Sequence, residues 1–303
     1  MSNTTKGTIL TLIAGIAWGL SGTSGQYLME QGFPVLVLTN IRLLLAGGLL
    51  LGYLLLTDRE KLKAMLRDKQ TLGSILRFAL LGLLLNQFSY LKSISESNAG
   101  TATVLQYVCP VGILAYTCIK DRVAPTLTEI LSIILAIGGT FLIATHGQLN
   151  QLTVTLAGLF WGLFAAFTYA LYILIPIQLI KTWGSIPVIG IGMMMAGSAL
   201  TPFSGLLHFH WKLSMEVYLS LAGIILIGTI LAYTLFLKGA SLVGPVKSSL
   251  LAAVEPISAV FFAFAIMHER FYLIDFAGMA MILIAVLLIS LKDLVLEKKK
   301  GLL

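Results

Sequence analysis

Apolar residues run along this chain in long blocks, broken by short clusters of charged residues, Pro and Gly. The breaks place the blocks at 7–29, 34–57, 72–92, 98–119, 126–145, 155–180, 187–207, 215–238, 245–267 and 272–292. Each is close to the roughly 20 residues that an α-helix needs to cross a bilayer. Ten spanning helices with short connections are therefore predicted, leaving no room for a water-soluble domain of any size. The first block is long and carries no small-residue cleavage pattern, so it reads as a retained helix rather than a signal peptide.

Two stretches recur in order. Ala14-Gly15-Ile16-Ala17-Trp18-Gly19-Leu20 returns as Ala157-Gly158-Leu159-Phe160-Trp161-Gly162-Leu163, an offset of 143 residues. Tyr90-Leu91-Lys92-Ser93-Ile94-Ser95 returns as Phe236-Leu237-Lys238-Gly239-Ala240-Ser241, and Pro110 as Pro256, both at an offset of 146. This is a duplicated five-helix unit, with halves at 1–146 and 147–303. Five is odd, so the second copy enters the membrane from the opposite side, the inverted-topology repeat found in secondary transporters.

Composition adds orientation. The chain is 58% hydrophobic and 11% charged, against roughly 25% charged in an average soluble domain. Its net charge of +7 does not point to nucleic acid, because the basic residues are sided. With a cytoplasmic amino terminus, 16 Lys and Arg fall in inner segments and three, Lys92, Lys212 and Arg270, in outer ones. Both termini are therefore expected in the cytoplasm. Cys109 and Cys118 have no metal-ligand or disulfide spacing and read as packing residues.

Two ionisable residues lie deep in the apolar blocks, Arg42 about 12 Å from the outer face and Glu255 about 15 Å from the inner one. Both sit near the midplane, where a lone charge costs at least roughly 2.5–3.5 kcal/mol, so each must face a partner, a wet cavity or a solute. For Glu255 two readings stay open: a proton- or substrate-binding carboxylate, or an anchor bonded to Arg42 or helix backbone. Arg42 leans toward the structural role, because a guanidinium does not shed its proton. The two are expected to approach each other, directly or through the solute. Pro110 and Pro256 each free a carbonyl one turn earlier, as a gate or as a static kink. Trp18, Tyr90, Tyr107, Trp161, Tyr169, Tyr172 and Tyr233, with Ser21, Ser24, Gln87, Gln106 and Ser249, sit at inward-compatible positions. Their rings suit cations and apolar groups, though such residues also populate interfaces and helix contacts. Trp18 and Trp161 stand out, since the repeat makes them a pair. Gly15/Gly19, Gly48/Gly52 and Gly158/Gly162 have the spacing of close helix packing. His146, His208, His210 and His268 lack companions for a metal site, and no nucleotide loop, nucleophile elbow or zinc motif is present. No cofactor is expected, and the chain does not read as an enzyme.

The pattern resembles the drug/metabolite transporter superfamily, in particular its EamA type. The resemblance is carried by Trp18-Gly19 and Trp161-Gly162, by Arg42 within Asn40-Ile41-Arg42-Leu43-Leu44-Leu45-Ala46, and by Ser248-Ser249-Leu250-Leu251-Ala252-Ala253-Val254-Glu255-Pro256. Asp121 and Glu269 close the fourth helix of each repeat. The resemblance implies a basket of helices around a central cavity that opens alternately to each side. It also implies transport of amino acids, amines, nucleotide precursors or toxic organic molecules, usually outward. Cys109 stands where the second repeat has Glu255, so carboxylate chemistry at that depth is one-sided.

The expected function is secondary active export of a small amino-acid-like or amine metabolite by alternating access, with coupling to protons. Trp18, Arg42, Tyr90, Tyr107, Trp161, Tyr169, Tyr233 and Glu255 are the candidate substrate site, Glu255 the proton-coupling group, and Pro110 and Pro256 the gate. The alternatives are an importer or facilitator of an organic cation in the aromatic cage, an intramembrane enzyme, and a membrane scaffold. The expected partners are a small solute, the bilayer and protons, in a multi-pass protein of a bacterial cell membrane, as monomer or homodimer.

Overall fold

Large apolar side chains in this protein face outward as well as into the core, unlike those of a water-soluble bundle. Ile9, Ile13 and Ile16, then Leu45, Leu49, Tyr53 and Leu56, then Ile130, Ile134, Ile137 and Phe141 form exposed stripes at three- and four-residue spacing. The interior combines an apolar core with buried Thr39, Asn40, Arg42, Asn86, Gln87, Ser89, Ser93, Gln106, Thr168, Thr229 and Glu255. Exposed apolar surface on this scale marks contact with lipid. Polar groups gather inside because hydrocarbon offers them no hydrogen bonds.

The computed structural model describes residues 3–109, 111–112, 116, 118–119, 122, 124–145, 154–210, 214–243, 251–252 and 254–299. Pro110, Asp121, Ser249, His146 and the loop at 147–153 lie outside the described residues. Among those described there is no strand. The helices in chain order are α1 (Asn3–Glu30), α2 (Val35–Thr57), α3 (Arg59–Arg67) and α4 (Lys69–Glu96). They continue as α5 (Ala99–Gln106), α6 (Leu127–Thr145), α7 (Leu156–Leu174), α8 (Ile177–Trp183) and α9 (Ser185–Ser204). The last three are α10 (from Met215 to Val243), α11 (Val254–Met267) and α12 (Leu273–Lys299). Five helices, at Thr5–Glu30, Val35–Thr57, Lys69–Glu96, Ser185–Ser204 and Met215–Phe236, are long and apolar enough to cross a membrane. Shorter apolar helices occupy Leu127–Ile143, Leu156–Tyr172, Val254–Met267 and Leu273–Leu288.

Helices start where side chains can cap them. Asp58, Asp68, Asn98, Thr155 and Ser214 each accept a hydrogen bond from a backbone N–H of the turn that follows. The Thr71 hydroxyl and backbone N–H, bonding to Asp68 at the start of α4, hold that carboxyl below its usual range.

Two long helices change pitch at corresponding places. α4 is π-helical over Phe78–Leu84 and α10 over Gly223–Leu231. Each widened turn comes just before the polar or aromatic residues that the helix sends inward, Asn86, Gln87 and Tyr90 from α4 and Tyr233 from α10. Such turns rotate the following residues relative to a regular helix and recur at functional sites.

The packing crosses between halves. α1 lies against α10 and α11, α7 against α4 and α5, α2 against α9, and α6 against α12. Glycine permits the closest approaches. A Cβ on Gly19 would stand 2.7 Å from the Ala259 nitrogen on α11, and one on Gly162 would stand 2.6 Å from Leu105 on α5. Gly139 and Gly278 face one another reciprocally, each carbonyl 2.5–2.7 Å from where the other's Cβ would be. The expectation for Gly48/Gly52 is corrected. A Cβ on Gly52 would meet nothing within 4 Å and one on Gly48 only ordinary contact, whereas one on Gly47 would stand 2.7 Å from the Met194 nitrogen. One helical position decides which face meets α9.

Candidate central solute site

The inward polar residues converge on a cavity of about 50 Å3. Its walls are Trp18 and Ser21 of α1, Arg42 of α2, Asn86, Gln87 and Tyr90 of α4, and Gln106 of α5. Tyr169 and Tyr172 of α7, Tyr233 of α10 and Glu255 of α11 complete it. Both halves of the chain contribute. The space exceeds what one water needs, yet falls well short of the roughly 300–1,000 Å3 of a pocket for a drug-sized ligand.

Arg42 is 6% exposed, and its Nε donates to Thr229 Oγ1 at 3.1 Å. Thr229 in turn donates to the Ile224 carbonyl five residues back, a bond that suits the π-helical turn. The guanidinium is therefore held at one nitrogen, from the other half of the chain. Arg42 and Glu255 line one cavity without closing a bridge, unlike the ion pairs Lys63–Glu60 and Lys92–Glu96.

Glu255 is held by Tyr107, whose hydroxyl donates to the Ala252 carbonyl at 2.7 Å and also lies 3.3 Å from Glu255 Oε2. The chemistry follows from Pro256. Proline has no N–H to give the carbonyl four residues earlier, which is that of Ala252, and Tyr107 supplies the missing donor. Tyr107 thus stands behind the carboxylate rather than in the cavity wall. Its own helix α5 ends at Gln106, with Tyr107 and Val108 in a turn.

The aromatic residues form an arc. Trp18 meets Tyr233 edge-on at 5.4 Å between centroids, Tyr233 meets Tyr172 at 6.0 Å, and Tyr172 stacks on Tyr169 at 5.9 Å. Trp161 does not join it. Its ring packs with Phe88, Phe160 and Phe164, and Phe160 is 58% exposed, so the repeat-related tryptophan belongs to an outward aromatic cluster. The expected symmetric pair is therefore corrected: the two rings share a sequence position but not a wall, Trp18 lining the cavity and Trp161 packing among Phe88, Phe160 and Phe164.

Most polar groups near the cavity pair with each other. Gln106 Nε2 donates to Asn86 Oδ1 at 3.0 Å, Ser89 is hydrogen-bonded to Thr168 at 3.0 Å, and Tyr90 to Thr103 at 2.7 Å. Farther along α1, Gln26 donates to Glu269 Oε1 at 2.7 Å and Glu30 Oε1 at 3.1 Å, and accepts from the Ala99 N–H at 2.8 Å. That amide fastens α1 to the start of α5 and to the segment between α11 and α12. Asn86, Thr229 and Gln26 were not singled out from the sequence. Asn86 is adjacent to Gln87 in a run that looks amphipathic only after the π-helical turn, and Thr229 is one hydroxyl in an apolar block.

Comparison with known proteins agrees with this architecture. A crystal structure at 14% identity superposes over 97% of this chain and 99% of its own with a TM-score of 0.63, the same fold. An uncharacterized inner membrane transporter of Salmonella typhimurium strain LT2, YicL, is 38% identical over 292 residues, covering 96% of this chain and 97% of its own length. An uncharacterized transporter of Bacillus subtilis strain 168, YwfM, is 25% identical over 285 residues, 93% of each. The profile of the EamA-like transporter family matches twice, at residues 5–145 and 156–291, covering both halves that the sequence repeat marks out. The chain is a multi-pass bacterial membrane protein that belongs to the EamA-like transporter family.

Proposed function

We propose that this transporter exports a small zwitterionic, amino-acid-like metabolite by alternating access, exchanging it for protons. The observation that carries the reading is that Arg42 and Glu255 line the same buried cavity, one from each half, without neutralising each other. A carboxylate can meet the guanidinium nitrogens that Thr229 leaves free, and an ammonium can meet the Glu255 oxygen that Tyr107 leaves free. With no solute bound, a proton on Glu255 lowers the cost of burying it, so proton and ammonium compete for one oxygen. An interrupted helix supports the same site: α5 stops at Gln106, as expected where discontinuous helices meet a solute at the midplane.

In this reading the chain forms ten spans as two inverted five-helix units, 1–146 and 147–303, with both termini cytoplasmic and Pro110 and Pro256 as flexure points. The small cavity fits a state closed around a few atoms, so a solute enters only when α1 and its counterparts part. The aromatic arc beside Glu255 favours a second reading, an organic cation held by Trp18, Tyr233, Tyr172 and Tyr169. Flux of radiolabelled amino acids and of tetraalkylammonium cations into and out of proteoliposomes, with and without a pH gradient, tests both. Accumulation of a zwitterion that collapses with the gradient and in Glu255→Gln supports the first; gradient-independent cation flux with no zwitterion flux overturns it.

A further inference from the structure

Among the described residues, buried side-chain polar atoms without a hydrogen-bond partner occur at Gln87 and at Thr140. Gln87 differs from Thr140 in lining the cavity, and in leaving both Nε2 and Oε1 unpaired while being only 3% exposed. Its neighbours do have partners: Asn86 Oδ1 accepts from Gln106, and Tyr90 bonds to Thr103. Among the described residues of the cavity wall, the fully buried atoms without a partner thus belong to one amide, on α4 just after the π-helical turn that rotates it inward. At the position 146 residues on, the second half carries Tyr233, so the two halves present an amide and an aromatic ring to the same space.

We infer that Gln87 reads a neutral hydrogen-bonding group on the solute, a hydroxyl or carboxamide. The site therefore takes polar amino-acid-like solutes in preference to aliphatic ones of equal size. This rests on the zwitterion reading of Arg42 and Glu255. Those two groups engage the charged ends and leave the third substituent to be sorted by what remains. Gln87 offers two N–H donors and one carbonyl acceptor. A carboxamide answers both at once, and a hydroxyl answers either. An aliphatic substituent leaves both groups unpaired, and a site built to bond a polar group rejects the analogue that lacks it.

The test measures binding of L-threonine against L-valine, and L-asparagine against L-leucine, to the purified full chain in detergent by isothermal titration. Each pair is close in shape and differs in polarity. Wild type is expected to favour the polar member of each pair by about tenfold or more, one hydrogen bond's worth. Gln87→Met, similar in volume, is expected to level both pairs by weakening threonine and asparagine while leaving valine and leucine unchanged or tighter. Its unliganded melting temperature should equal or exceed that of wild type, because it removes an unpaired buried amide. If Gln87→Met fails to fold, Gln87→Asn keeps the amide but withdraws it by one methylene, and should cut the preference in the same direction. A preference that survives these substitutions, or equal binding of all four by wild type, overturns this inference alone. Binding of none of the four by wild type overturns the zwitterion reading, and this inference with it.

Discussion

The hold on Arg42 comes down to one hydroxyl, and removing it gives a sharp test. Thr229→Val keeps the shape of the side chain, opens no cavity, and deletes the acceptor 3.1 Å from Arg42 Nε. A hydrogen bond to a charged group contributes about 1.5–3 kcal/mol net, a neutral one about 0.5–1.5. Thr168 provides the matched control. It is equally buried in a helix, bonds to its own Phe164 and Ala165 carbonyls, and reaches across to Ser89 at 3.0 Å, but no charge is involved. Thr229→Val should therefore destabilise more than Thr168→Val by about 1 kcal/mol, or about 1.5 °C in melting temperature for a chain of 303 residues. Thermal unfolding of purified variants in detergent, followed by tryptophan fluorescence, reads the difference. Thr229→Ser, which retains the oxygen, should recover most of it. Equal or reversed costs would refute the argument, and would mean that water rather than Thr229 satisfies the guanidinium.

Four further outcomes are expected. Trp18→Ala should weaken solute binding more than stability, whereas Trp161→Ala, away from the cavity, should lose about 3 kcal/mol of stability with solute affinity little changed, as melting curves and titrations on the same preparations would show. Gly139→Ala drives a Cβ to 2.5 Å from the Gly278 carbonyl and should cost about 1–3 kcal/mol, while Gly52→Ala, with open space around it, should be neutral or stabilising by up to about 1 kcal/mol. Glu255→Gln should leave the chain folded but abolish gradient-driven flux in proteoliposomes. If it instead impairs folding and a joint apolar replacement with Arg42 restores it, the pair is a structural anchor. Single cysteines between 59 and 69 should label only from the cytoplasmic side and those between 147 and 153 only from outside; the reverse would invert the orientation drawn from the charge bias.

Several features could be read along the chain because each depends on residues close in sequence or on a bulk property of the solvent. Apolar block length against bilayer thickness placed several helix ends, since the start of α2 at Val35 and the end of α6 at Thr145 fall within a residue or so of the pattern. Depth alone picked out Arg42 and Glu255, since a charge in hydrocarbon is costly wherever its partners are. The duplicated Trp-Gly segments exposed the repeat before any contact was known. What the chain could not show is which face each helix turns inward. The π-helical turns in α4 and α10 shift the facing residues off the regular 3.6 period, so Asn86 and Thr229 were missed, and a one-residue difference put Gly47 rather than Gly48 against α9. Trp161 shows the limit of symmetry. Duplication copies a residue's place in the chain but not its neighbours, and Phe88 from the opposite half, with Phe160 and Phe164 of its own helix, packs around the ring away from the cavity. The unpaired amide of Gln87 belongs to tertiary structure in the same way, because the absence of a partner is a property of everything packed around a side chain and of no residue by itself.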